Sequence, residues 1–255
     1  MSSIARKIEC SNQAEKGSAG KASRCFFYSI ALVGPDGSGK SSVARSILET
    51  SPLPIKYIYM GANIDSSNIA LPTSRLSHKW KVSRHKKSLM KSGGEVPEKI
   101  SMHGLEHRID RRGKLWGFAR LLRRVSEEVY RQIVSYAYQA RGNVVLYDRH
   151  FLFDACPVPE DIGKQRQTDR AHCWFLRKLY PRPGLVIILD APADVLYARK
   201  QEVPIEYLES NRRALAKKKY YASRVVTVDT NKPFEEVVEI VNSLIVNYCT
   251  NPFDG

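Results

Sequence analysis

One stretch of the chain has the residue types and spacing that can hold a phosphate group. It reads Gly34-Pro35-Asp36-Gly37-Ser38-Gly39-Lys40-Ser41 and is followed by Ser42. The pattern is G-x-x-x-x-G-K-[ST], in which backbone N–H groups surround the β-phosphate of a nucleotide. The lysine of the pattern reaches the β- and γ-phosphates, and the hydroxyl ligates Mg²⁺. Residues 34–41, the glycine-rich loop, therefore predict an ATP site with Lys40 as a phosphate ligand and Ser41 as a metal ligand.

The segments on either side of the loop fit the same site. Residues 26–33 are apolar and typical of a buried parallel strand. Residues 42–48 predict a helix whose amino terminus faces the phosphate, where the helix dipole favours negative charge. The plainer alternative is a glycine-rich turn between two core elements. Strand, loop and helix together favour a nucleotide-binding site.

Phosphoryl transfer also needs an acidic residue and further cations near the loop, because it depends on positioning and on neutralising charge. Asp148 follows the apolar run 143–147 and is the predicted acid, which holds a Mg²⁺-bound water or takes the acceptor's proton. Asp190, after the apolar run 185–189, is the competing candidate. Arg149 favours Asp148, because its guanidinium can bind a phosphate through two N–H groups. The alternative is that Asp148 and Arg149 form only a helix N-cap or a local ion pair.

The elements that must position these residues alternate along the chain. Predicted strands cover 26–33, 55–60, 143–147, 185–189 and 224–228. Predicted helices cover 115–141, 167–180, 192–200, 204–222 and 233–247. Strands separated by helices predict one doubly wound parallel sheet. Because three of the strands end at an aspartate, their carboxyl ends are expected to line a polar crevice.

The long helix predicted at 115–141 has two distinct faces. Apolar residues recur at three- and four-residue steps: Trp116, Ala119, Leu122, Val125 (or Ser126), Val129, Ile133 and Ala137. Charged residues fill the other face: Arg120, Arg123, Arg124, Glu127, Glu128 and Arg131. Gly142 stands where a helix C-cap belongs. The pattern predicts an amphipathic helix that ends before Gly142.

Three motifs in sequence order resemble the thymidylate kinase family. They are the stretch 34–42, then Asp148-Arg149-His150, then Leu189-Asp190-Ala191-Pro192 with Arg199 after it. The order is shared by the wider deoxynucleotide kinases, and the resemblance covers residues 26–248. It implies a P-loop NTPase fold, a three-layer αβα sandwich whose five parallel strands have the order 2-3-1-4-5. It also implies transfer of the γ-phosphate of ATP, with Mg²⁺, to a nucleoside monophosphate such as dTMP.

The resemblance assigns roles to further residues. Asp36 matches the loop carboxylate that contacts the acceptor's sugar hydroxyl. Arg149 matches the arginine that holds the acceptor phosphate. Arg199 matches the start of the lid, where arginines meet the transferring phosphoryl group. Since Gly37 occupies a loop position that can hold an arginine, Arg199 or Lys200 must supply that charge here.

The chain also departs from the family pattern. Met60-Gly61-Ala62-Asn63 stand where the family has R-E-P-G-G, which removes one expected acceptor contact. The lid, residues 199–213, is short. The segment 116–120 is similar to the base-contacting helix, which makes Arg120 and Arg124 candidates for acceptor binding. These departures leave other small acceptors, such as a nucleoside or a sugar, as alternatives to dTMP.

The charge of the chain is concentrated in an insertion at 61–114. The whole chain has 41 Lys and Arg against 26 Asp and Glu, and the segment 75–114 alone has twelve against four. This excess favours anionic partners. A loop of this length is a solvated mobile insertion, a lid over the acceptor phosphate, or a polyanion-binding arm. The last alternative predicts an ATP-dependent regulatory protein that binds nucleic acid or another polyanion.

The remaining features concern the extension, the cysteines and the location. Residues 1–24 predict a disordered extension or a mitochondrial transit peptide, and 25–250 the kinase domain. Five scattered cysteines without zinc-ligand spacing favour reduced thiols inside the cell. No apolar run approaches the ~20 residues of a transmembrane helix. We therefore expect a cytoplasmic protein without a membrane span, with a homodimer as an open alternative to a monomer.

Overall fold

The computed structural model describes residues 28–61, 67–72, 80, 83, 114–158 and 165–250. The predicted extension at 1–24 lies outside these residues, as does most of the basic insertion at 61–114. The predictions for both segments therefore stay predictions.

Five strands form one parallel sheet. They are β1 (Ser29–Val33), β2 (Ile55–Tyr59), β3 (Val144–Asp148), β4 (Leu185–Asp190) and β5 (Val225–Asp229). Each strand pairs in parallel with its neighbours, and the order across the sheet is β2-β3-β1-β4-β5. The predicted fold class, a five-stranded parallel sheet of order 2-3-1-4-5 between helices, is confirmed.

Helices cover both faces of the sheet in the described part of the chain. They are α1 (Lys40–Thr50), α2 (Lys114–Gln139), α3 (Phe151–Ala155), α4 (Gln167–Lys178), α5 (Ala193–Arg199), α6 (Ile205–Lys217) and α7 (Phe234–Thr250). A 3₁₀ turn, Lys219–Tyr221, follows α6, so the helix predicted at 204–222 is interrupted near Lys218. The short helix α3 was not predicted, because five residues are too few to show a helical period.

The core consists of two apolar layers, one on each face of the sheet. On one face, Ile47 of α1 and Val241 of α7 pack against Leu32 and Ile187. On the other face, residues of α3 and α4 pack against the alternate residues of the same strands, as Leu176 does. All five residues of the central strand β1 are buried. This double burial explains why the strands read as continuous apolar runs rather than as alternating ones.

Helix α2 places its polar face inward, contrary to what an amphipathic pattern predicts. Arg131 is only 1% exposed, and Glu127 and Glu128 are buried beside it. Leu122 and Ile133, from the predicted apolar face, are 57% and 59% exposed. The apolar periodicity therefore predicts the existence and length of α2 correctly, but not the face that it buries.

The physical reason is a set of hydrogen bonds that join α2 to the sheet and to α4. Ser135 Oγ lies 2.6 Å from Tyr147 Oη. His172 Nε2 lies 2.7 and 2.9 Å from the two carboxylate oxygens of Glu128. Tyr180 Oη donates to the backbone carbonyl of Glu128 at 3.2 Å. Because buried polar groups are stable only when they are paired, these contacts allow the polar face of α2 to replace an apolar one.

Three of the five cysteines lie in the described part of the chain. Cys156 and Cys173 are buried, Cys249 is partly buried, and all three are free thiols. Cys10 and Cys25 lie outside the described residues. In the described part of the chain, none of the helices combines the length and the apolar composition that crossing a bilayer requires.

Candidate functional site

The glycine-rich loop (34–41) connects β1 to α1. Gly37 and Gly39 have φ values of 86° and 83°, in the left-handed region that favours glycine. A Cβ atom at Gly34 would collide with the backbone carbonyl of Leu189, so β4 packs directly against the start of the loop. The backbone conformation and the close packing therefore require the glycines of the pattern.

The first turn of α1 offers a positive end to an anion. Its N-cap residue is Gly39, which supplies no side-chain cap, and no acidic residue lies in the first turn. The first backbone N–H groups of a helix have no partner within the helix, and the helix dipole favours negative charge there. The loop thus places a phosphate-binding helix terminus at the carboxyl edge of the sheet.

Lys40 is folded back onto the loop. Its Nζ donates to the carbonyl oxygens of Gly34 and Pro35 at 2.9 and 2.7 Å, and to Ser38 Oγ at 3.4 Å. Burial, and then a neighbouring guanidinium, lower the pKa of Lys40 to about 8, against the opposing effect of nearby carboxylates. The three ammonium protons are used within the loop, so a nucleotide must compete with these contacts.

Ser41 and the predicted acid are in direct contact. Ser41 Oγ donates to Asp148 Oδ2 at 2.7 Å. The hydroxyl of Tyr57, from β2, donates to the same oxygen at 2.9 Å. Asp148 is 1% exposed, and its Oδ1 has no hydrogen-bond partner among the described residues. Burial, and then the charge of Asp148, raise the pKa of Tyr57, so its hydroxyl stays protonated and remains a donor.

Arg149 turns away from the strand and meets the glycine-rich loop. Its φ of 68° lies in the left-handed region, where a residue with a Cβ is strained and is held by its surroundings. Its Nη2 donates to Asp36 Oδ1 at 2.7 Å, and its Nη1 lies 3.9 Å from Asp154 Oδ2. The guanidinium is therefore fixed between a carboxylate of the loop and one of α3.

These contacts bear on the alternative of a helix N-cap or a local ion pair for Asp148 and Arg149. The N-cap of α3 is His150, whose Nδ1 accepts from Leu152 N at 3.3 Å. The ion pair of Arg149 with Asp36 is not local, because the two residues are 113 positions apart in sequence. The N-cap alternative therefore falls to His150, and Arg149 has a local ion pair with Asp154 in addition to its long-range pair with Asp36.

The charges at this edge of the sheet are balanced around Asp36. Burial acts to raise the pKa of Asp36, but the charge and hydrogen bond of Arg149 outweigh it and lower the pKa, with further help from Lys40 and Lys200. Burial also raises the pKa of Asp154, against the effect of Arg149. Asp36 is thus held as a carboxylate within the loop, within electrostatic reach of Lys200.

The chain leaving β2 forms the next wall of the site, and α2 fixes it in place. Buried Arg131 donates through Nη1 to the carbonyl oxygens of Tyr59 and Gly61 at 3.0 and 2.9 Å. Its Nε donates to Glu127 at 3.0 Å. A Cβ atom at Gly61 would lie 2.7 Å from Arg149 Cδ and would also meet the ring of Tyr59. The segment after β2 therefore packs against the side chain of Arg149.

The competing acid, Asp190, is engaged elsewhere. Arg212 of α6 donates to both of its carboxylate oxygens, at 2.7 and 2.9 Å. Arg199 is exposed, and its Nη2 donates to the backbone carbonyl of Thr230 at 2.7 Å. Lys200 pairs with Glu202 at 3.0 Å on the surface. The predicted roles of Arg199 and Lys200 at the transferring phosphoryl group stay predictions.

Most of the predicted site residues meet at one edge of the sheet. The loop, Asp148 and Arg149 come together there, and Ser42 is exposed on the first turn of α1. Arg120 is half-buried on α2, one turn before Arg124, which pairs with Asp169 at 3.2 Å. The predicted contact of Arg120 with an acceptor stays a prediction.

Sequence reasoning missed Tyr57, Asp154, Arg131 and Arg212. Tyr57 was predicted only as a strand residue, and its contact with Asp148 joins residues 91 positions apart. Arg131 was placed on the charged face of a helix, a position that is usually solvated. Asp154 follows the end of β3 and lies in α3, a helix that is too short to predict from its sequence. No local pattern distinguishes such residues, because their roles depend on packing between distant parts of the chain.

The residues present fit a magnesium ion bound with a nucleotide. Ser41 uses its proton on Asp148, which leaves its oxygen lone pairs available to a cation. The unpaired Oδ1 of Asp148 is a suitable acceptor for a metal-bound water. No group of three or more His, Cys, Asp or Glu side chains in the described ranges could hold a metal ion by itself. This agrees with the habit of Mg²⁺ to bind through one or two protein ligands, waters and substrate phosphates.

Comparisons with known proteins add little to this picture. No protein-family model matches the chain, and no curated protein matches it. One similar solved structure is a deoxyadenosine kinase from M. mycoides with the products dCMP and dCDP. Its TM-score is 0.45 and its sequence identity 16%, and the alignment covers 86% of this chain and 99% of that chain. Another is the same kinase with bound dCTP, which has a TM-score of 0.44, a sequence identity of 15% and the same coverage of both chains. The fold of the chain is therefore argued from its own strand pairing.

Proposed function

We propose that the protein is an ATP-dependent phosphotransferase that moves the γ-phosphate of MgATP to a small acceptor bound beside the glycine-rich loop. The observation that carries this proposal is the contact of Ser41 with Asp148, whose second carboxylate oxygen is buried and unpaired among the described residues. The loop supplies a phosphate site, and this pair supplies the metal ligands next to it. As the acceptor we propose a nucleoside monophosphate, dTMP or a related one, on the basis of the family resemblance.

Each residue of the loop has a role in binding the donor. Backbone N–H groups of the loop and of the first turn of α1 would hold the β-phosphate. Lys40 would exchange its contacts with the loop carbonyls for the β- and γ-phosphates. Ser41 would ligate Mg²⁺, and Asp148 would hold a water bound to it. The bound metal would neutralise charge that develops on the phosphoryl oxygens.

The acceptor side rests on Asp36 and Arg149. Their ion pair places a cation and a carboxylate at the loop, where a second substrate could bind. Nucleotide-dependent switches and motors do not need such a second site, whereas a kinase does. Arg149 would bind an acceptor phosphate, and Asp36 a sugar hydroxyl. Arg199 or Lys200, at the start of the lid, would meet the phosphoryl group in transit, and Arg120 would contact the acceptor base.

The test is a phosphotransfer assay with MgATP and a panel of nucleoside monophosphates, nucleosides and sugars. We expect Lys40→Ala and Asp148→Asn each to lower turnover by a factor of about 100 or more, because both remove transition-state contacts. Matched controls are Lys56→Ala, an exposed lysine of β2, and Asp229→Asn, an exposed aspartate that ends β5. Turnover of Lys40→Ala and Asp148→Asn at the level of the controls would reject the proposal.

The charge of the basic insertion supports a second candidate, an ATP-dependent protein that binds a polyanion. Twelve Lys and Arg against four acidic residues between 75 and 114 are more than a small acceptor requires. Binding through many phosphates weakens steeply with salt, because each contact releases counterions. Affinity for a single-stranded oligonucleotide that falls by a factor of about 1,000 between 50 and 200 mM salt would favour this candidate. A shallow dependence favours the kinase.

A further inference from the structure

The two oxygens of the Asp148 carboxylate have unequal surroundings. Oδ2 accepts from Ser41 at 2.7 Å and from Tyr57 at 2.9 Å. Oδ1 is buried and accepts from no described residue. A buried carboxylate oxygen without a partner costs free energy, and a water or an ion from outside the chain would remove that cost.

The two donors to Oδ2 come from different elements. Ser41 lies on α1, in its first turn, and in the proposed function it would also ligate the metal. Tyr57 lies on β2, where its backbone is fixed opposite Leu146 of β3, and its ring packs against the apolar layer beneath α1. Tyr57 therefore reaches the carboxylate from a strand of the sheet, and the proposed function gives it no role in binding the nucleotide.

We propose that Tyr57 is a positioning residue for the metal site of the proposed function. By holding Oδ2 from the side of the sheet, its hydroxyl fixes the rotation of the Asp148 carboxylate and keeps Oδ1 available to a water that a bound cation would carry. It also keeps the carboxylate at hydrogen-bond distance from Ser41, whose oxygen lone pairs would then be available to the metal. Partners in the second coordination sphere orient metal ligands in this way, and their loss typically lowers metal affinity 10- to 100-fold.

The test is Tyr57→Phe, which removes only the hydroxyl. The control is Tyr147→Phe, which removes the hydroxyl of another sheet tyrosine, bonded to Ser135 and not to Asp148. Binding of a non-hydrolysable ATP analogue to the full chain is measured by calorimetry, across a Mg²⁺ titration and again in EDTA. This readout needs neither the acceptor nor turnover.

We expect Tyr57→Phe to raise the Mg²⁺ concentration for half-saturation about tenfold and to leave the affinity in EDTA unchanged. Tyr147→Phe should change neither value. A merely structural role for Tyr57 would weaken binding by the same factor with and without Mg²⁺, and that result would overturn the proposal. So would an unchanged Mg²⁺ requirement.

One further variant separates this inference from the proposed function on which it rests. If Ser41→Ala loses the Mg²⁺ requirement but Tyr57→Phe keeps that of the parent, the metal site stands and the role of Tyr57 is rejected. If the parent protein binds the analogue equally well in Mg²⁺ and in EDTA, the metal site itself is wrong, and both proposals fail. Thermal midpoints of Tyr57→Phe and Tyr147→Phe confirm that both variants are folded.

Discussion

At the scale of single residues, the most informative feature is a lysine whose hydrogen bonds all lie within its own loop. Lys40 uses its ammonium protons on Gly34, Pro35 and Ser38, within its own loop. Its burial makes the charged form less favourable, which lowers its pKa to about 8. A bound triphosphate has the opposite effect, because a nearby anion favours the charged form. Protonation of Lys40 and binding of a nucleotide should therefore be linked.

This linkage predicts a pH dependence of nucleotide binding. Below about pH 8 Lys40 is charged in the free protein, so the affinity for a MgATP analogue should be constant there. As the pH rises through about 8, the free protein loses the proton that the complex needs, and affinity should fall by up to about tenfold per pH unit. Calorimetry at several pH values measures this. Lys40→Arg should bind with no such decline, and a parent affinity that is flat to about pH 9.5 contradicts the prediction.

Gly37 and Gly39 give a second prediction, because they share a backbone conformation but differ in their surroundings. A Cβ at Gly37 would lie 2.6 Å from the carbonyl oxygen of Leu196, whereas a Cβ at Gly39 would meet nothing within 4 Å. Gly39→Ala should cost about 1–2 kcal/mol of unfolding free energy through conformation alone. Gly37→Ala should cost at least about 1 kcal/mol more, because the backbone of α5 cannot move easily. Urea unfolding compares the two variants, and equal losses would show that the collision is relieved.

At the scale of elements, helix α2 is the unusual part of the molecule. Its Arg131 and Glu127 form a buried ion pair. Arg131 also donates to the backbone of the chain leaving β2, and Glu127 accepts from the backbone N–H of Leu71 at 3.1 Å. The guanidinium further lies over the ring of Phe151, 5.3 Å from its centre. One turn of α2 therefore holds the segment after β2 against the candidate acceptor side.

Removing one partner of this pair should be costly. Arg131→Met leaves a buried carboxylate and two carbonyls without their donor, and we expect a loss of about 3–5 kcal/mol of unfolding free energy. The chain offers a matched control in Arg213→Met, since Arg213 and Glu209 have the same four-residue spacing but are exposed. That variant should lose less than about 1 kcal/mol. Chemical denaturation decides, and a small loss for Arg131→Met would mean that the pair is not needed for stability.

The elements also show which parts of the structure a sequence can predict. The strands, the loop and most helices were predicted because apolar runs, glycine spacing and helical periodicity are local signals. The buried face of α2 was not, because the charge of Arg131 is compensated by carbonyls of Tyr59 and Gly61, about 70 residues away. Tyr57 was missed for the same reason. Asp36 and Arg149 were matched in advance only through a family resemblance, not through their spacing.

At the scale of the whole molecule, one face of α2 is exposed and apolar in the described part of the chain. It presents large apolar side chains along much of the helix: Phe118, Leu122, Val129, Ile133 and Tyr136. Contiguous exposed apolar patches are typical of interaction sites. The homodimer, an open alternative to a monomer, therefore has a specific test at this face.

We expect the protein to associate with rising concentration and the double variant Leu122→Lys/Ile133→Lys to remain monomeric, because charge on this face would have to be buried in an interface. Sedimentation velocity from about 1 to 100 µM measures the association. Leu48→Lys, at an exposed apolar position on α1, is the control and should associate like the parent. A parent protein that sediments as a monomer throughout argues against this face as a dimer interface.

Helix α2 bonds both ends of the connection between Gly61 and Leu71, which matters for engineering the protein. Gly61 bonds to Arg131 and Leu71 bonds to Glu127, so the connection between these residues starts and finishes on a single helical turn. Because the cost of closing a loop rises only slowly with its length, a connection pinned in this way tolerates changes in length well. We therefore expect a reporter peptide or an affinity tag inserted between Gly61 and Ser67 to leave these two contacts and the sheet register unchanged.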